Sequence, residues 1–299
     1  MLECLQELAG KENVWADEPM RLHTTFRAGG CARYLVEPQT AEQLRLVLKV
    51  CRESNMPYYI VGNGSNLLVS DGGYDGVIIH LFKNMSEARA EGKCLVLQAG
   101  VLLSKAANLA RRESLTGLEF ASGIPGTVGG ALVMNAGAYG GEMKDVVRSV
   151  KVLTAQGGIR EYTNEEMQFG YRRSRIAAEG SVVLEAVLEL EKGDPERIQA
   201  RMDELKEQRT SKQPLEYGSA GSTFKRPEGY FAGKLIQDAG LRGFQIGDAQ
   251  VSEKHCGFVI NRGNATASEI AELIREVQRR VWENSGVHLE TEVKFLGDF

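Results

Sequence analysis

Apolar positions recur at helical spacing in some stretches of this chain and alternate with polar ones in others, and the two periods divide it into elements. Between Ala41 and Glu53, Leu44, Val47, Leu48 and Cys51 fall on one face, which predicts a helix. After Met56-Pro57 the run Tyr58-Tyr59-Ile60-Val61 predicts a short strand that enters a Gly/Ser/Asn turn. Gly76 to Phe82 and Cys94 to Ala99 read as further strands, and Ser104 to Ser114 as a helix with Ser104 as its cap. Val146 to Leu153 and Ser181 to Leu190 alternate. In the second, Val182, Leu184, Ala186, Leu188 and Leu190 oppose Glu185 and Glu189, as in half-buried strands. An α+β sheet domain is expected.

Asp194-Pro195-Glu196 opens a charged helix carrying Ile198, Met202 and Leu205, and a polar, proline-marked linker from Thr210 to Pro214 predicts a domain boundary close by. The remaining chain has a helical stretch at Phe231 to Ala239, a short strand at Phe258 to Asn261 and a long helix from near Ser268. That helix has Ile270, Leu273, Ile274, Val277 and Val281 on one face, with Thr266 and Glu269 as a capping box. Leu289 to Leu296 reads as a closing strand.

With 299 residues, 42% of them hydrophobic, the chain can bury the core of an enzyme-sized globular protein. The net charge of −4 is spread over mixed signs, which leaves no basic face for duplex nucleic acid. Cys4, Cys31, Cys51, Cys94 and Cys256 are odd in number and widely spaced. They form neither a zinc pattern nor a disulfide framework, so reduced thiols and no metal site are expected. MLECLQELAG lacks the form of an export signal, and no apolar run approaches the ~20 residues of a membrane span. A cytoplasmic protein with no membrane partner and no evident obligate protein partner is expected.

The 34 glycines exceed the usual share of about 7%, and the excess is concentrated locally. Gly117 to Tyr139 reads GLEFASGIPGTVGGALVMNAGAY, and Val61 to Leu68 reads VGNGSNLL. Segments so poor in side chains either build turns or offer main-chain N–H groups to an anion such as a pyrophosphate. Neither contains GxGxxG or the GK[ST] ending of a triphosphate loop. A nucleotide held here is held by another fold.

VGNGSNLL followed by GLEFASGIPGTVGGALVMNAGAYGGEM resembles the flavin-binding domain shared by a superfamily of FAD oxidases and reductases. Further segments narrow this: Gly170-Tyr171-Arg172-Arg173-Ser174, Gly218 to Pro227 (GSAGSTFKRP), Ala232 to Leu241 (AGKLIQDAGL), Val251 to His255 (VSEKH), Leu289 to Val293 (LETEV), and Thr24-Thr25-Phe26. In order and separation they resemble the UDP-N-acetylenolpyruvoylglucosamine reductase family from about residue 20 to the end. The resemblance implies an α+β fold. A PCMH-type FAD-binding domain of two α/β subdomains would span residues 1–205, split near 83, and a smaller α+β substrate-binding domain would span 206–299. It also implies that NADPH reduces FAD and that hydride then passes to the enolpyruvyl ether of a UDP-sugar, giving UDP-N-acetylmuramate for peptidoglycan synthesis.

Hydride added to the terminal carbon of an enol ether leaves electron density beside the carboxylate, so the reaction needs an acid and an electrostatic clamp. By family position Ser222 is the proton donor, Arg172 the fork that holds the carboxylate, and Glu292 a further donor. The resemblance gives FAD the contacts Gly62, Asn63, Gly64, Ser65 and Asn66 in the first loop. In the second it gives Ser122, Gly123, Gly126, Thr127, Gly129, Asn135 and Gly137, with Val182 against the ring. Neither loop has a histidine, so non-covalent FAD is expected. Tyr171, Lys225, Arg226 and Gln237 are the expected substrate contacts. Only nine residues separate Arg172 from Val182, which leaves no room for the tyrosine-bearing insertion of some members. This is the pattern of the shorter subtype.

Alone, each residue has a plainer reading: Ser222 as a turn serine, Arg172-Arg173 as a solvated pair, Glu292 as the outer face of a strand. Cys256 beside His255 reads as structural, because neighbours on a strand face opposite ways. Two other functions compete with the reductase: an FAD oxidase acting on a small hydroxy acid, and a non-catalytic flavin or nucleotide-sugar binding module.

Overall fold

The structure is a computed structural model that describes every residue from Met1 to Phe299. It resolves into two compact units that interleave along the chain. The first comprises residues 1–15, 34–63 and 76–209; the second comprises 16–33, 64–75 and 210–299. No helix is long and apolar enough to cross a membrane.

In the first unit, helix Ala41–Glu53 starts at Thr40, whose side chain accepts from the Gln43 N–H, and buries Leu44, Val47, Leu48 and Cys51. The chain returns as strand Tyr58–Val61, which pairs in parallel with Tyr74–His80, Tyr58 facing Val77. These two end a four-stranded sheet in the order 14–19, 31–36, 74–80, 58–61, of which residues 14–15, 34–36, 76–80 and 58–61 belong to this unit. A five-stranded antiparallel sheet follows, in the order 159–163, 147–153, 182–189, 94–98, 88–91. Its long strand Val182–Glu189 is buried at Val182, Val183 and Leu184, so only its later residues follow the in-out alternation. Helix Pro195–Lys212 closes the unit. Proline occupies its first position, where no N–H is needed, and Ile198, Met202 and Leu205 are buried.

The second unit has a separate core. Its four-stranded antiparallel sheet runs 218–219, 259–261, 249–251, 245–246, and helix Ala267–Ser285 packs on it. The Thr266–Glu269 capping box is present, and Gly286 at φ 67° ends the helix. Asp71 adds a second cap, accepting from the Ala267 and Ser268 N–H groups at 2.8 Å each. Early segments belong to this unit because they are bonded to late ones. Leu67–Val69 pairs in parallel with Lys294–Leu296, and the Asn261 amide donates to the Phe26 carbonyl. A single cut near residue 205 therefore describes only the last of the five places where the chain passes between units.

Three local expectations differ from what is found. Helix Leu103–Arg112 begins after Leu102 with no side-chain cap, so Ser104 lies inside the first turn, where its carbonyl accepts from Asn108. The closing strand shrinks to Lys294–Leu296; Thr291 makes only an isolated bridge to Phe224, because the Glu290 and Glu292 backbones are bonded to the Thr223–Lys225 segment instead. His255 and Cys256 lie in a turn rather than a strand. The structural reading of Cys256 rests on its burial, which pushes its thiol up, and not on strand alternation.

Candidate active site

Within the first unit the two glycine loops meet. The Asn63 side-chain amide donates to the Pro125 carbonyl at 2.6 Å, and a Cβ on Gly62 would overlap the Thr127 side chain. Thr127 is buried and caps the short helix Val128–Val133, accepting from the Gly130 N–H. The N–H groups of Gly123, Gly126 and Thr127 donate to no carbonyl in the protein. They are donors available to an anion. Gly129 differs: its N–H goes to the Ala99 carbonyl at 2.8 Å, and a Cβ there would sit 3.0 Å from that of Ala99. Ser122 donates its hydroxyl to the Glu119 carbonyl at 2.8 Å. Gly137 pairs with Glu142 in a hairpin whose tip, Tyr139-Gly140, has φ of 52° and 90°.

Asn135, at φ 47° and buried, has its whole side chain engaged by the protein. Its amide donates to Glu142 at 2.8 Å and to the Gly170 carbonyl at 3.2 Å, and its oxygen accepts from the Lys144 N–H. It thereby anchors the turn that carries Arg172. Gly170 and Arg173 exchange backbone hydrogen bonds at 3.1 and 3.2 Å, leaving Tyr171 and Arg172 at the tip. Arg172 sits at φ 53°, half-buried, with its guanidinium 5.1 Å from the Tyr171 ring centre. The Glu142 carboxyl is held below the usual range by its hydrogen bond with Lys144, against the opposing effect of burial; Asn135 and the Arg172 charge add to the lowering. Val182 is buried at the start of its strand, opposite Leu153.

In the second unit Ser222 and Glu292 lie on adjoining segments. Thr223 is fully buried: its N–H donates to the Gly257 carbonyl, its hydroxyl accepts from the Val259 N–H, and its carbonyl accepts from the Glu292 N–H at 2.9 Å. That bonding fixes the backbone on which Ser222 is exposed. Gly221 before it has φ 74° and nothing within 4 Å of where a Cβ would stand. The end of the first glycine loop reaches the same place, since the Asn66 amide donates to the Glu292 carbonyl at 3.1 Å and the Asn66 carbonyl accepts from Lys294. The Gly64 and Ser65 N–H groups have no acceptor in the protein. Gly64, at φ 58°, lies so close to His23 that a Cβ would collide with its carbonyl.

The remaining expected contacts sit on the surface of the second unit with protein partners. Lys225 pairs with Glu290 at 2.8 Å, and Arg226 lies 4.0 Å over the Phe231 ring. Gln237 accepts from Arg242 at 2.7 Å. Near them, burial pushes the His255 imidazole below its ordinary value.

Within the first unit the residues fit a non-covalently held dinucleotide on two counts: free main-chain donors in the second glycine loop, and an arginine that no acid in the protein neutralises. This is Arg209, which lies along Gly123 with its Cδ 3.0 Å from where a Cβ would stand. Sequence reasoning missed it, because on a highly charged helix nothing separates it from its solvated neighbours.

Residues 32–163 match the family described as FAD binding domain, and residues 213–296 match UDP-N-acetylenolpyruvoylglucosamine reductase, C-terminal domain. The UDP-N-acetylenolpyruvoylglucosamine reductase of Clostridioides difficile (strain 630) is 52% identical over 98% of this chain and 97% of its own length. That of Alkaliphilus metalliredigens (strain QYMF) is 51% identical over 97% and 96%. The crystal structure of the UDP-N-acetylenolpyruvylglucosamine reductase (MurB) of Thermus caldophilus superposes with a TM-score of 0.80 at 37% identity, covering 95% of this chain and 98% of that one. The fold is accordingly the α+β arrangement of a PCMH-type FAD-binding domain with a C-terminal domain. This chain belongs to the UDP-N-acetylenolpyruvoylglucosamine reductase family.

Proposed function

We infer that this chain is an FAD-dependent oxidoreductase that uses NADPH to reduce the enolpyruvyl group of UDP-N-acetylglucosamine enolpyruvate to UDP-N-acetylmuramate, a step of peptidoglycan precursor synthesis. The observation that carries the reading is the family match over nearly the whole chain. Bound FAD supplies the hydride relay between NADPH and substrate. The main-chain donors of Gly123, Gly126 and Thr127 would hold its diphosphate.

Arg172 holds the substrate carboxylate with its planar fork and stabilises the enolate-like charge that develops beside it. Ser222 gives its hydroxyl proton to the carbon next to that carboxylate. A serine hydroxyl is a weak acid, so it serves only against a strongly basic carbon and only where the resulting alkoxide is stabilised. Glu292, in its protonated form, donates to the developing enolate; its N–H is bonded to the carbonyl of Thr223, the residue after Ser222. Lys225 and Arg226 provide cations for the UDP diphosphate, with Tyr171 and Gln237 as further substrate contacts. We place the enzyme in the cytoplasm, with a UDP-sugar as its substrate and neither nucleic acid nor a membrane as partner.

The test is an anaerobic titration. NADPH should bleach the purified yellow protein, and UDP-N-acetylglucosamine enolpyruvate should restore the colour. Fast reoxidation by oxygen with indifference to the UDP-sugar would instead mark an oxidase, and a protein that NADPH fails to bleach would mark a binding module.

A further inference from the structure

Arg209 stands near the end of helix Pro195–Lys212, half-buried, with its Cδ, Nη1 and Nε at 3.0, 3.2 and 3.7 Å from the position a Gly123 Cβ would take. The guanidinium is thus laid across a main chain stripped of its side chain, beside an N–H that donates to nothing in the protein. No carboxylate pairs with it. Burial pushes its pKa down, and within the protein only the phenol of Tyr139, at the tip of the Gly137–Glu142 hairpin, opposes that. A cation drawn from water with no counter-ion is unfavourable unless a ligand brings the missing charge. Packing of the stem alone would be met by methionine. A guanidinium instead supplies several donors in one plane, which match the oxygens of a phosphate two at a time.

We propose that Arg209 is the binding cation for a diphosphate seated on the second glycine loop at Gly123. The proposal rests on the reading that this loop holds FAD, and it adds to the loop's neutral donors the one full positive charge the first unit places on Gly123. The loop then favours glycine at 123 for a reason other than turn geometry: a Cβ there would stand 3.0 Å from the arginine Cδ and push the side chain off its seat.

The experiment compares flavin-stripped wild-type protein with Arg209→Met and Arg209→Lys, by fluorescence titration with FAD and, separately, with riboflavin, which has the ring but no phosphate. Arg209→Met is expected to weaken FAD binding by about 10–100-fold and leave riboflavin binding unchanged, with Arg209→Lys between them. Wild-type FAD affinity should fall with added salt more steeply than that of Arg209→Met. In a second arm, UDP is titrated against FAD-loaded protein. A loss confined to UDP would keep the diphosphate and assign it to the sugar nucleotide. Equal loss for FAD and riboflavin, or no loss for either FAD or UDP, would overturn the proposal. Should Arg209→Met not fold, Arg209→Lys decides: FAD affinity indistinguishable from wild type in value and salt dependence would overturn it. Wild-type protein that binds no FAD at all would instead refute the FAD reading, independently of Arg209.

Discussion

Two of the proposed catalytic side chains sit beside turns of the same backbone sign, and the two turns are built from opposite materials. Gly221 takes φ 74° in open space and hands the next position to Ser222. Arg172 takes φ 53° itself, at the tip of a two-residue turn held by Gly170, Arg173 and the Asn135 amide. A non-glycine residue held there stores roughly 1–2 kcal/mol of backbone strain. The serine's turn is relaxed and its rigidity comes from Thr223 below it; the arginine's turn is strained and its rigidity comes from a buried asparagine. Where the functional group is short, the chain can place a glycine next to it. Where the function needs the side chain at the bend itself, the strain falls on the functional residue.

The comparison breaks most visibly at the chemistry. Ser222→Ala should keep reduction of the flavin by NADPH and lose roughly 10²–10⁴-fold in the transfer to substrate, measured by stopped flow on each half-reaction; equal damage to both would remove Ser222 from the role. Arg172→Lys keeps the charge and the strain but loses the fork, so KM for the UDP-sugar should rise by about 10–100-fold with thermal stability unchanged. Gly221→Ala tests the relaxed turn. Its new methyl enters open space, and the protein should lose only about 1–2 kcal/mol in a denaturant melt, all of it from the backbone.

The smallest effect concerns Asp71, which caps the helix packed on the second unit's sheet. Burial opposes its ionisation, but hydrogen bonds from Ser268 and Ala267 win and hold the carboxyl below its ordinary value. Because the folded pKa is depressed, its contribution is complete above the unfolded value near 4 and disappears as pH falls through the lowered folded one. Asp71→Asn should cost about 0.5–1 kcal/mol at neutral pH and flatten that acid limb of the stability curve. Hydrogen exchange at pH 3 should loosen the second unit's sheet before the Gly170–Arg173 turn; the reverse order would count against the cap.

Much of this was legible in the residues. Helix 41–53 and the capping box at Thr266 follow from local spacing, and local spacing is what sequence carries best. The short strand 31–36 was not seen, because it is held between 14–19 and the distant 74–80, and 88–91 was not seen although it forms a hairpin with the adjoining 94–98, because Ala88-Arg89-Ala90-Glu91 carries no strand-favouring side chain. The cofactor loops were visible as glycine excess, but their glycines do unlike things. Gly62 and Gly129 make room for Thr127 and Ala99, whereas Gly123 and Gly126 leave donors free. Asn135 reads in sequence as a cofactor contact, and its side-chain support of the Arg172 turn was not legible there. Arg209 could not be found from sequence at all: a missing counter-ion is a property of three-dimensional surroundings.

The parallel pairing of Leu67–Val69 with Lys294–Leu296 has a consequence for biosynthesis. A growing polypeptide that has already emitted its first seventy residues cannot complete this ladder until residues 294–296 have also emerged, and Phe26 and Leu68 must wait for late-made partners such as Leu289 and Val293 to be covered. Deleting residues 294–296 should therefore unmake a region encoded by a much earlier stretch of the message.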